Sequence, residues 1–166
     1  DIALKAALTG HLVFSTLHTN DAPSSITRLI NMGTPNYLIS AALTLIMAQR
    51  LARKSCLDCR IIDENITPKL LNSIGFLPEQ SARAKIYKGT GCEQCGGSGY
   101  RGRMGIYEIL EVDNELKAGI LSNLQQTELN AIAKKNGFKT MQDMGKDLLL
   151  SGDLSFAEYE RVLQSS

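Results

Sequence analysis

The chain has 166 residues, of which 43% are hydrophobic and 21% charged, so it can build a core and does not read as disordered. Its 18 basic and 17 acidic residues leave a formal charge of +1 and only 5% are aromatic, which argues against a nucleic-acid partner. No apolar run reaches the roughly 20 residues that span a bilayer, and no transmembrane segment is expected. The chain opens "DIALKAALTG" without Met, part-way through a helical stripe. The expectation is a piece of a longer protein.

Ile2, Leu4, Ala6, Ala7 and Leu8 recur at helical spacing, and Gly10 suits the left-handed position that ends a helix. The run "HLVFSTL" (11–17) reads as a strand buried on both faces, as in a parallel sheet. It stops at "HTNDAP", where Asn20 or Asp21 can cap a helix that tolerates Pro23 and closes at Gly33. Helix, strand, polar loop and helix predict an α/β architecture, whose ligands sit at the carboxyl ends of strands. Pro35 is predicted to start a second long helix through "YLISAALTLIMA" (37–48) and on to "AQRLARK". Residues 56–103 are turn-rich, with a short helix expected near Pro68 to Ile74 and a strand at "AKIYKG". From Met104 a β-like stretch, "MGIYEILEV", leads into three or four short helices punctuated by Gly137 and Gly152. Ser155 and Glu158 have capping-box spacing, which predicts a last helix starting near Ser155.

All four cysteines fall into two Cys-x-x-Cys pairs, Cys56/Cys59 and Cys92/Cys95. Two such knuckles supply the four-sulfur set that Zn2+ favours, and four sulfurs leave no open position for water or substrate. The ion is therefore expected to be structural. Arg53, Lys54 and Arg60 flank the first pair and would offset the charge of a tetrathiolate centre. A redox dithiol calls for one Cys-x-x-Cys opening a helix after a strand, and neither pair reads that way. Disulfides are not expected without a secretory signal; an iron–sulfur cluster on the same four thiolates remains an alternative. Residues 60–91 separate the pairs, a longer gap than the ~15–20 residues of an ordinary zinc ribbon. An inserted subdomain is implied.

Gly97 to Gly102 spells G-x-G-x-x-G, but it follows a cysteine knuckle and runs into a strand-like segment, whereas a dinucleotide loop follows a strand and opens a helix. No G-x-x-x-x-G-K-[ST] occurs; Gly145-Lys146 is followed by Asp147. Of the two histidines, His11 precedes the expected strand and reads as structural. His18 ends it, amid Thr16, Thr19, Asn20 and Asp21, and is the catalytic candidate. Arg28, Arg50 and Arg53 read as solvated or ion-paired. Arg101 and Arg103 bracket a glycine in what reads as a flexible loop, and the planar arginine fork suits phosphate, so Arg103 is a weaker nucleotide-binding candidate.

"ALTGHLVFSTLHTNDAPSSITRLINMG", "LIMAQRLARKSCLDCR" and "GCEQCGGSGYRGRMGIYEIL" together resemble the carboxyl-terminal half of the secretion and pilus-assembly ATPases. These are the hexameric motors of type II secretion and type IV pilus extension. The resemblance runs the length of the chain, and the tetracysteine insert is its most discriminating part, since the superfamily's retraction motors lack it. It implies three segments: 1–55, the second half of a RecA-like P-loop ATPase core; 56–103, the tetracysteine zinc subdomain; and 104–166, a mainly helical subdomain. "STLHTND" matches the family's histidine box, which implies that His18 lies near the γ-phosphate. The Walker A lysine and Walker B acid of such motors lie upstream, so the piece alone is expected not to hydrolyse ATP. The resemblance further implies ATP and Mg2+ in the complete protein, a homo-hexamer, and work at the cytoplasmic face of the inner membrane against platform proteins. The competing expectation is a zinc-stapled protein-interaction module that never touches nucleotide.

Overall fold

The computed structural model describes residues 2–164. In chain order the elements are α1 (Ile2–Leu8), α2 (Ala22–Asn31), α3 (Asn36–Ala42), β1 (Leu45–Ser55), β2 (Arg60–Ile62), α4 (Pro68–Ser73), α5 (Pro78–Arg83), β3 (Tyr87–Gly89), β4 (Tyr100–Glu111), α6 (Asn114–Leu121), α7 (Gln126–Lys135), α8 (Met141–Ser151) and α9 (Phe156–Tyr159). A 3-10 turn occupies Glu93–Cys95, and a π-helical turn, Glu160–Gln164, continues α9. β1 pairs with β4, and β2 pairs antiparallel with β3 in the register Arg60–Gly89, Ile61–Lys88, Ile62–Tyr87. The chain forms two compact units: one runs up to Ala48 and takes in Tyr107–Thr140, the other comprises Gln49–Ile106 and the residues from Met141 on.

The first unit is a helical cluster against the end of a ribbon. Asp21 caps α2 by accepting the Ser24 N–H at 2.7 Å, and Pro23 sits in the first turn, where a missing N–H costs nothing. Ala22 and Ile26 of α2 and Ile39 of α3 meet Leu110 and Val112 from the end of β4, Leu116 and Ile120 of α6, and Leu129 and Ala133 of α7. The Asn36 side chain donates to the Ile120 carbonyl at 2.9 Å and ties the start of α3 to α6.

The second unit gathers the cysteines. Leu71, Phe76 and Ile86 are buried around α4, α5 and the approach to β3. Leu149, Leu154, Phe156, Tyr159, Val162 and Leu163 form the buried side of the closing helices. Glu158 is fully buried among them, and its carboxylate accepts the Arg53 main-chain N–H at 2.7 Å and the Arg53 guanidinium at 3.0 and 2.7 Å. Arg161 donates to it from the same helix, at 2.8 Å through Nε.

Four expectations are corrected. Residues 11–17 are not a strand: the segment is irregular, with Leu12 84% and Phe14 87% exposed. A strand needs a neighbour to take its N–H and C=O groups, and among the described residues none lies beside this one. The helix from Pro35 stops at Ala42, and Leu45–Ser55 is a strand instead. Pairing with β4 overrides the helix-forming side chains of that run. Arg101 and Arg103 stand on β4, not in a flexible loop, and Arg101 pairs with Asp58 at 3.3 Å. Cys56 does follow a strand, β1, although what comes after its knuckle is β2, not a helix.

Candidate functional site

An open polar cleft of about 310 Å3 lies at the start of α2 in the first unit, lined by His18 to Asp21, by Ser24, Thr27, Arg28 and Asn31 of α2, and by Gln126 of α7. Ser24, Thr27, Arg28 and Asn31 fall at i, i+3, i+4 and i+7, one stripe of the helix. His18 is exposed and lines the cleft with Thr19, Asn20 and Asp21; Thr16 does not contribute. The loop is held on one side by the Thr19–Ser25 hydroxyl pair at 2.8 Å, and Thr27 reaches Gln126 at 3.5 Å.

The donors of the first helical turn are all accounted for. Ala22 N–H bonds to the Glu108 carboxylate, Pro23 has none, and Ser24 N–H bonds to Asp21. A helix start with free N–H groups is an anion site in its own right; this one is already served by two carboxylates. An anion in the cleft would have to be met by side chains, and its wall offers the Arg28 guanidinium, the His18 ring and the Asn20, Asn31 and Gln126 amides. Arg103 is exposed on β4 and is not among the lining residues.

In the second unit the four cysteine sulfurs come within 4.8 Å of one another. Cys56 to Cys92 is 3.8 Å, Cys59 to Cys95 3.9 Å and Cys92 to Cys95 3.7 Å. No disulfide links them. A tetrahedral ion with metal–sulfur bonds of about 2.3 Å spaces its thiolates about 3.8 Å apart, so the set fits a single four-coordinate metal. The Cys92 and Gly99 N–H groups point at Cys95 Sγ, at 3.1 and 3.2 Å, the outer hydrogen bonds that orient a ligating thiolate. Burial pushes the Cys56 thiol up to about 11, while the Cys92 N–H draws Cys95 down to about 6.

The knuckles are fixed by backbone contacts. Cys56 N–H bonds to the Gly99 carbonyl at 2.9 Å and Thr90 N–H to the Cys59 carbonyl at 3.1 Å, closing each pair onto the other. The basic residues flanking the first pair have other partners. Arg53 holds Glu158 and lies 4.1 Å over the Tyr100 ring, Lys54 meets Asp153 at 3.2 Å, and Arg60 donates to the Gly152 carbonyl at 3.0 Å while covering Tyr87.

The family model described as type II/IV secretion system protein matches residues 1–161. The chain belongs to that family. Among curated relatives of this type II/IV secretion chain, the type IV pilus assembly ATPase PilB of Thermus thermophilus is 44% identical over 157 residues, covering 95% of this chain and 18% of that protein. PilB of Myxococcus xanthus is 40% identical over 158 residues, 95% of this chain and 28% of its own length. The putative type II secretion system protein E of Escherichia coli is 39% identical over 165 residues, 99% of this chain and 33% of that protein. The chain thus spans a third or less of the length of these relatives. No described helix is long and apolar enough to cross a membrane.

Glu108 and Gln126 are absent from the residues that sequence patterns single out, and Glu158 is among them only for its cap spacing. Glu108 had a legible signal: in "GIYEILEV" it shares the period-two inward face with Ile106 and Leu110, where an acid is out of place. Gln126 had none, and the cap spacing of Glu158 says nothing of Arg53, because the partners Thr27 and Arg53 lie about a hundred residues away.

Proposed function

We propose that this chain is the carboxyl-terminal portion of a hexameric ATPase motor that couples ATP hydrolysis to pilus assembly or protein secretion. The observation that carries the reading is the family match across residues 1–161, with relatives named as pilus-assembly ATPases. In this reading residues 1–55 complete a RecA-like ATPase core, 56–103 form the zinc subdomain, and 104–166 the helical remainder. The irregular run 11–17, whose apolar side chains are exposed, becomes a core strand once the rest of the sheet stands beside it. The motor works as a homo-hexamer at the cytoplasmic face of the inner membrane, against platform proteins.

The reading gives His18 the γ-phosphate of ATP, with Mg2+ held by groups outside this segment. Because the first-turn N–H groups of α2 are occupied, His18 acts through its ring, as a sensor or polariser of charge developing on the phosphoryl group. Arg103, exposed on β4, is assigned to nucleotide contact within the ring. Cys56, Cys59, Cys92 and Cys95 hold a structural Zn2+; sulfurs this close suit one ion, whereas an iron–sulfur cluster would place its own atoms between them.

In the complete protein His18→Ala should lower kcat about a hundredfold while nucleotide Kd changes little; an unchanged kcat sinks this role. The 166-residue chain by itself should show no ATP turnover, since the phosphate cradle and metal-coordinating groups lie elsewhere. Turnover by the purified piece would overturn that division of labour.

A further inference from the structure

We propose that Glu108 is a positioning residue for the His18 loop, a role that rests on the reading of His18 given above. Glu108 stands on β4 between Tyr107 and Ile109, 3% exposed, and shares its inward face with the buried Ile106 and Leu110. A carboxylate in such surroundings is costly unless hydrogen bonds and a favourable field compensate. The start of α2 contributes to both. The carboxylate accepts the Ala22 N–H, the first helical amide of α2, and so sits at the positive end of a ten-residue helix. An apolar residue of similar volume would fill the space at less cost but would leave the Ala22 N–H without this acceptor.

What it does is fix where the loop ends. Asp21 binds forward to Ser24, and Thr19 binds forward to Ser25, so both loop tethers are anchored on the helix itself. They set the shape of the His18–Asp21 loop relative to α2, but neither ties α2 to the strand behind it. The Glu108–Ala22 bond does, across 86 positions of sequence. It fixes the first turn, and with it the loop carrying His18, against β4. Glu108 touches no cleft surface and acts only through that loop.

The test uses the complete protein, with Glu108→Ala, Glu108→Asp and Glu108→Gln made alone and in a His18→Ala background. Glu108→Ala should lower kcat about tenfold with little change in nucleotide Kd, as a slightly misplaced group costs rate more than binding. Glu108→Gln keeps an oxygen acceptor of the same reach and should restore kcat to near wild type. Glu108→Asp keeps the charge but withdraws the oxygens by one methylene, and should lose several-fold in kcat; it carries the test if the alanine variant does not fold. None of the three should reduce kcat further once His18 is Ala. A wild-type kcat for Glu108→Asp, a Gln variant as slow as the Asp variant, or losses that multiply with His18→Ala would overturn the proposal and leave the site reading intact. A wild-type kcat for His18→Ala alone would remove the site reading, and this role for Glu108 with it.

Discussion

Glu158 lies three residues after the cap Ser155, the spacing at which an acid bonds back to the cap's N–H. The cap forms as that spacing requires, with Ser155 Oγ accepting the Glu158 N–H at 3.3 Å. The carboxylate goes elsewhere, to Arg53 and Arg161. Burial pushes its pKa up, but the hydrogen bonds from Arg161 and Arg53 outweigh burial and hold it down to about 2, from an ordinary 4.5. A depressed carboxylate contributes stability that is fully present above its unfolded pKa and lost as pH falls through the folded value. The window is therefore from about pH 4.5 to about pH 2. Glu158→Gln should cost about 2 kcal/mol at neutral pH by denaturant titration, the loss of charged hydrogen bonds at a buried group. The gap between the two proteins should narrow as pH falls through that window; a pH-independent gap would show that the charge contributes nothing.

Among the elements, β1 shows how local preference misleads. "LIMAQRLARKS" is built from good helix formers, Leu, Met, Ala, Gln, Arg and Lys. Its burial nevertheless alternates, with Leu45, Met47 and Leu51 outward and Ala52 inward. The ladder partner, β4, begins at Tyr100 and is invisible to any local window. The two knuckles make the opposite case, since their glycines are legible and their reasons geometric. A Cβ at Gly89 would lie 2.1 Å from the Gly99 carbonyl oxygen, and Gly99 itself has φ of +75°. Gly96 also has a left-handed φ, +60°, but open space around it. Gly89→Ala should therefore cost at least 3 kcal/mol, roughly the overpacking limit, and release the metal. Gly96→Ala should cost about 1 kcal/mol and retain it. Metal content and thermal midpoint measured on both variants decide; equal effects would mean the knuckles do not depend on that close approach.

For the whole molecule, a metal held by the four cysteines would be the largest single contribution the second unit can draw on. Residues 56–103 carry few buried apolar side chains, Leu71, Phe76, Ile86 and the Cys56 thiol chief among them, so four thiolates on one ion would substitute for a core. The purified chain should contain about one zinc. Cys92→Ser, or a strong chelator, should remove it and open residues 56–103 to protease. A variant that keeps its metal, or loses it without becoming cleavable, would rule out a structural ion.

The two cysteine pairs, the cap at Asp21, the helices after Val112 and the family itself were legible in the sequence because each is a local pattern of residue type and spacing. The sequence alone therefore determined that four thiolates could meet at one metal and that His18 falls in the polar run before α2. It could not determine that Leu45–Ser55 pairs as a strand, that residues 11–17 lie irregular in this chain, or that Glu108 and Glu158 hold α2 and Arg53. The strand pairing and the two carboxylate contacts are set by partners 45 to 105 residues away, and the run 11–17 by the lack of a neighbouring strand among the described residues. Pairing a strand or compensating a buried charge depends on what the fold brings alongside, and only the tertiary structure decides that.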